Sequence, residues 1–211
     1  MKCSWLLLSA RGRLAAVTNV RVGLSPEVAP RSRGWLVRDF VTGKHSADAY
    51  LAALAADAAE FGRFNLIVWD GDALAFASNH PRYVAHPVAP GVHAMSNGAL
   101  DAPWPKSTHA TRALAAWLDL TALGEPDPAG LFDALADTTP APDEQLPDTG
   151  VGIELERVLS PPFVRGARYG TRCSSVVLVG TEEIRFLERR YGPDTVPAGE
   201  TAVTFSRSGK A

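Results

Sequence analysis

Reactive and polar side chains open one strand-like stretch, Tyr169-Gly-Thr-Arg-Cys-Ser-Ser175, that runs straight into the apolar run Val176-Val-Leu-Val179. A guanidinium entering a strand interior must find carboxylate or carbonyl partners to offset its desolvation. Arg172 is therefore the first candidate for a site residue, and a salt bridge to Glu188 or Asp101 stands level with it as the purely structural alternative. Asn19 follows an apolar strand, where its amide could donate to a developing oxyanion, although position alone favours an Asx turn. Asn97 lies in Met95-Ser-Asn-Gly98; the Asn-Gly pair reads locally as a turn, yet Asp101, Trp104 and Lys106 follow in the same loop. Asp101, Trp104 and Tyr169 are the candidate substrate contacts. Cys173 alternates with Arg172 and so faces the other side of the strand; with Val177 and Val179 as core, it becomes a small buried hydrophobe.

Composition narrows the chemistry further. The chain has 211 residues, 46% hydrophobic and 21% charged, with a formal charge of -2. Such a chain buries a real core, and its charge argues against a nucleic-acid surface, which needs a concentrated basic footprint. The basic stretches at Arg31 and Arg33 and at Arg189 and Arg190 read as solvated faces. Two cysteines, Cys3 and Cys173, make no disulfide framework and point to a reducing cytoplasm. The histidines at 45, 80, 86, 93 and 109 follow no metal-ligand pattern, and no glycine-rich phosphate loop is present; Gly166, Gly170 and Gly180 read as turn glycines. Lys2 before Leu6-Leu-Leu8 hints at a secretory leader, but Arg11 and Arg13 interrupt the apolar run, and no stretch is long enough to span a membrane.

The elements that must position these groups follow from periodicity. Two short apolar runs around Arg11-Gly12 predict an N-terminal hairpin, and residues 22–34 read as a loop. Helical spacing pairs Leu36 with Phe40 and Val37 with Val41, and Ser46 caps a second helix expected over 47–61. Strands are expected at 64–69 and 73–77 around Asp70-Gly71, then at 83–88 and 91–95. Ser107 caps a helix to about 119 with Ala110, Leu114, Trp117 and Leu118 inward; a shorter helix over 129–136 follows the breaker Pro126-Asp-Pro128. Residues 138–150, rich in proline and acid, read as a mobile loop or a lid, followed by a helical turn or two at 154–159. Strands at 171–179, 184–191 and 201–205 complete an α+β layered architecture.

Taken in order, Trp5-Leu6, Arg11-Gly-Arg-Leu-Ala-Ala-Val-Thr-Asn-Val-Arg21, Arg33-Gly34, Phe64-Asn-Leu66, the run 74–79, Met95-Ser-Asn97, Trp104-Pro-Lys106, Thr149-Gly150 and Tyr169-Gly-Thr-Arg-Cys-Ser174 resemble the NRDE family, also called the transport and Golgi organisation protein 2 family. The resemblance covers essentially the whole chain, as a single domain over 1–211. It implies a four-layer αββα sandwich of the N-terminal nucleophile hydrolase type, two antiparallel sheets face to face, in which an amino-terminal cysteine attacks an amide with its own α-amine as base. Here Lys2-Cys3-Ser4-Trp5 occupies the place of the family's Gly-Gly-Thr-Trp, so Cys3 matches a glycine position and not the nucleophile. The expectation is a chain lacking the family's first strands and its Asn-Arg-Asp-Glu tetrapeptide, and inactive as an amide hydrolase.

By the same resemblance, Asn19 and Asn97 correspond to asparagines at the oxyanion and substrate, and Arg172 to the arginine that orients the nucleophile. The three are expected to line one cleft beneath residues 138–150. The family's association with secretory-pathway organisation and with haem or lipid homeostasis implies an alternative, a non-catalytic binding or transfer module for haem or another apolar ligand, with no resident cofactor. Met95, His93 and Tyr169 are then the ligand candidates, each also suited to packing. A small molecule is the expected partner; the sequence leaves the oligomeric state open.

Overall fold

The computed structural model of the chain describes residues 4–24, 27–121 and 127–207, so Cys3 and part of the breaker at 126–128 lie outside the described residues. It divides into two compact units, one running through Ala102 and the other Pro103–Arg207. Both are mixed α and β, and each holds one antiparallel sheet.

In the first unit the sheet order is sequential, β1 (Leu6–Leu8), β2 (Leu14–Asn19), β3 (Phe64–Trp69), β4 (Leu74–Ser78) and β5 (Val84–Pro87). Strand alternation sends Ala15 and Val17, Phe64, Leu66 and Val68, and Ala75 and Ala77 to one face, where all are buried. Helices α1 (Gly34–Thr42) and α2 (Ala47–Leu54) cover that face with Leu36, Val37, Phe40, Val41, Leu51 and Leu54. The expected helical pairs of α1 are all buried, and Ser46 caps α2 by accepting from the Ala49 N–H at 3.2 Å. Asp70, in the β3–β4 turn, also accepts from the Ala47 N–H at 2.8 Å, tying the start of α2 to the sheet. The β1–β2 turn hooks the far end of α1. Arg13 is buried, donates to the Phe40 and His45 carbonyls and lies 4.1 Å above the Phe40 ring, so the orphan carbonyls of a helix C-terminus are satisfied by a guanidinium.

Two secondary-structure expectations fail in this unit for local reasons. α2 stops at Leu54 and continues to Phe61 as tight turns, with N–H groups of Asp57 and Glu60 bonded three residues back. The apolar spacing survives the change, since Leu51, Leu54, Ala58 and Phe61 remain buried. Residues 91–95 form no strand: the Ala94 amide donates to the Asp101 carboxylate at 2.7 Å and its carbonyl accepts from the Asp101 N–H at 2.9 Å, so their hydrogen-bonding capacity is spent within one loop. The basic residues are not simply solvated either, since Arg31 stacks on Phe61 and Arg33 pairs with Glu27 and donates to the Arg63 carbonyl.

In the second unit β6 (Cys173–Val179), β7 (Glu183–Tyr191) and β8 (Pro197–Ser206) form a three-stranded sheet, with α3 (Pro105–Thr121), α4 (Ala129–Leu135) and α5 (Ile153–Leu159). α3 begins at Pro105, where a missing N–H costs nothing, so Ser107 lies buried within its first turn and is not its cap. Leu118 is 44% exposed, against its expected inward placement. Arg189 lies over the Phe132 ring of α4 and pairs with Glu200, so it too does more than face solvent. Residues 138–150 are anchored to α5: the Thr149 N–H and hydroxyl donate to the buried Glu156 carboxylate, and Asp143 takes both arms of Arg157 at 2.7 and 2.6 Å.

Candidate functional site

The sheet face of the first unit that turns away from its helices holds the loop that carries Asn97. Thr18 and Asn65 are register partners across β2 and β3 and share this face. Asn65 is buried in an otherwise apolar strand and must therefore find acceptors inside the protein. It does so on the following loop, donating to the carbonyls of Ser96 at 3.2 Å and Gly98 at 2.5 Å, while the Thr18 hydroxyl donates to the same Ser96 carbonyl at 2.5 Å. The loop so held delivers Asn97 to the end of β2. There its side-chain amide donates to the Asn19 carbonyl at 2.9 Å, and its own carbonyl accepts from the Arg21 N–H at 2.9 Å. Two asparagines 78 residues apart thus meet, and the contact runs from side chain to backbone.

Asp101, at φ 58°, closes the same loop. Its carboxylate accepts from the Ala94 N–H and sits 2.8 Å from His93 Nδ1, while His93 Nε2 lies 2.9 Å from the Ala89 carbonyl. The hydrogen bond to Asp101 raises the His93 pKa above its ordinary value. Burial works to raise the Asp101 pKa, but the bonds from His93 and Ala94 outweigh it and hold the carboxyl below the usual range. Both ring nitrogens of His93 are therefore engaged.

Arg172 belongs to the second unit and finds carbonyls there. Its guanidinium donates to Thr171 at 3.3 Å and to Gly166 and Ala167 at 3.2 Å each, while Glu188 is taken by Ser175 and Arg190. The loop it closes is pinched further by the Thr171 N–H on the Val164 carbonyl at 2.8 Å. A Cβ at Gly170 would lie 2.7 Å from that carbonyl, so the turn needs glycine. Tyr169 projects from this loop, 72% exposed. Trp104 precedes α3, half-buried, with the Lys106 ammonium 5.7 Å from its ring centroid. Cys173 corrects the parity expected of β6: Ser174 and Val176 are buried whereas Cys173 and Val179 are exposed. The inward set is the even one, which an apolar run on both parities does not reveal. The surrounding protein and Glu188 push the Cys173 thiol up, so it is a poor nucleophile as it stands.

Thr18 and Asn65 were not singled out from the sequence. The available signal was the polar residue in Phe64-Asn-Leu-Ile-Val-Trp69, a buried strand that has to place its amide somewhere. Among the described residues no cluster of three or more His, Cys, Asp or Glu is arranged to hold a metal ion, and no helix is long and apolar enough to cross a membrane.

Comparison with known proteins agrees with the order of motifs. The family model for Transport and Golgi organisation 2 matches residues 1–193. The chain is 32% identical over 202 residues to the Transport and Golgi organization protein 2 homolog of Bos taurus, covering 88% of this chain and 71% of the relative. It is 29% identical to the Transport and Golgi organization 2 homolog of Mus musculus and 28% identical to the homolog of Homo sapiens, with the same coverage of 88% and 71%. The chain belongs to the Transport and Golgi organisation 2 family.

Proposed function

We propose that this chain is a cytoplasmic, small-molecule-binding member of its family, built on the αββα plan of N-terminal cysteine amide hydrolases but without their hydrolytic activity. In this reading Asn19, Asn97 and Asp101 make up the polar site of the first unit, Arg172, Trp104 and Tyr169 are the ligand-site residues of the second, and Cys3, matched to a glycine position, supplies no nucleophile. The observation that carries the proposal is the Asn97–Asn19 contact. It supports a shared polar site at the end of β2, and it commits the Asn97 amide to a carbonyl of the protein instead of an oxyanion.

The test is release of free amine from phenoxymethylpenicillin and from glycocholate, two amides of the kinds cleaved by related enzymes. The expected result is no release above the uncatalysed background. Turnover that disappears in Asn97→Ala or Arg172→Ala would overturn it.

A second reading, a carrier or transfer module for haem, is favoured by the exposure of Tyr169, a phenol open to an incoming iron. Titration with haem should then give a saturable shift of the Soret band that Tyr169→Phe removes. A titration with no saturation, or one indifferent to the substitution, rejects it.

A further inference from the structure

Outside the residues already discussed, α3 carries a groove of about 710 Å³, a volume suited to a small organic ligand. Pro105, Thr108, His109 and Arg112 recur at helical spacing and so share one face of α3; Pro103 stands before the helix, and Gln145 joins them from the turn Asp143–Gln145. That turn is held by the Arg157–Asp143 pair, so Gln145 comes from an anchored element.

The lining is unusual in what its polar atoms do. Among the described residues the Thr108 hydroxyl, the Gln145 amide and the Arg112 guanidinium have no hydrogen-bond partner within the protein, Gln145 and Arg112 being exposed to water, and only His109 Nε2 is buried without one. A buried polar atom left unmade forfeits its hydration and marks a place where a further group would gain. No carboxylate lies among the lining residues. The nearby acids are engaged: Asp137 stands 3.6 Å from His109 Nδ1 and accepts from the Thr139 N–H, and Asp143 is paired with Arg157. Arg112 is thus a cation without an ion pair among the described residues, beside a wall of proline rings.

We propose that this groove binds a small organic carboxylate with a flat apolar body, its carboxylate received by Arg112 with Gln145 and Thr108 as neutral donors and its body lying against Pro103 and Pro105. A guanidinium presents paired N–H groups that match a carboxylate, and the proline rings offer apolar area at no cost in rotamer freedom. The site stands apart from both readings of the Asn19–Asn97 end and of Tyr169, and a failed amide assay or haem titration leaves it untouched.

Calorimetric titration of the full chain at low salt with 1-naphthoate, 1-naphthyl phosphate and neutral 1-naphthol tests it. Naphthoate should saturate one site, and naphthol should bind about tenfold more weakly or worse. Arg112→Ala should weaken naphthoate about tenfold and Gln145→Ala about threefold, with unchanged circular dichroism, while Arg168→Ala, at an exposed bend that does not line the groove, should have no effect. Equal affinity for naphthol, no saturable heat with naphthoate, or an indifferent Arg112→Ala overturns the site. Tighter binding of naphthyl phosphate than of naphthoate overturns the carboxylate assignment.

Discussion

The strand-end loop at 96–101 and the groove on α3 treat polar side chains in opposite ways. At the first, Thr18, Asn65, Asn97 and Asp101 are all spent on backbone groups of the protein itself. At the second, Thr108, Arg112, Gln145 and one nitrogen of His109 are spent on nothing among the described residues. The lesson is that a cluster of polar residues is not a site merely by being a cluster. Groups already satisfied within the fold hold it together, whereas groups that the fold leaves to water, or buries without a partner as at His109 Nε2, are the ones a ligand takes up.

The contrast makes graded predictions. Asn65→Leu, which leaves the Gly98 carbonyl without its buried donor and the Ser96 carbonyl with Thr18 alone, should lower the unfolding free energy by about 2–3 kcal/mol in urea titration; no loss would mean that the loop is held by other means. Arg172→Ala removes the donor that closes residues 164–172 but works partly in solvent, so about 1 kcal/mol is expected, together with faster proteolytic nicking there. Thr108→Val and Gln145→Leu should each stay within about 0.5 kcal/mol of the parent chain, because the protein itself uses neither side-chain polar group.

The pair His93–Asp101 gives a smaller, signed effect. Because Asp101 raises the His93 pKa, the protonated imidazole is favoured in the folded chain. Its contribution to stability is present in full below the ordinary histidine value of about 6.5 and is lost as pH rises through the folded value. In a proton NMR titration the midpoint of His93 should lie above that ordinary value and fall back toward it in Asp101→Asn. An unshifted midpoint in the parent chain would disconnect the two residues.

How far these regions were legible beforehand differed for physical reasons. Strand β3, Phe64–Trp69, falls where its apolar run predicts, and so does the hairpin across Asp70-Gly71, because local pattern and turn chemistry agree there. The segment 91–95 looked like a strand because its local composition does not show that Asp101, in a left-handed conformation, would claim Ala94. Cys173 was turned the wrong way because Val176 to Val179 offers apolar residues to both faces, so parity rests on packing and not on pattern. Asn97 and Arg172 were visible as polar residues in suggestive places, but their partners are carbonyls, which no side-chain sequence displays. The groove is not legible in the sequence because its Gln145 comes from a loop that reads as mobile or as a lid, and because a missing partner is a property of three dimensions.

The central claim, that the polar groups along α3 are left unused by the fold, is tested most directly at His109. Replacing an unsatisfied buried polar atom by an apolar side chain of similar size relieves a desolvation cost, whereas replacing a satisfied one incurs it. Urea unfolding of His109→Leu should therefore give a free energy equal to that of the parent chain or higher by up to about 1 kcal/mol. A loss exceeding by about 1 kcal/mol or more the one that Asp137→Asn gives by removing the partner of His109 Nδ1 would show that His109 Nε2 has a partner in the folded protein, and the distinction drawn between the two regions would fall.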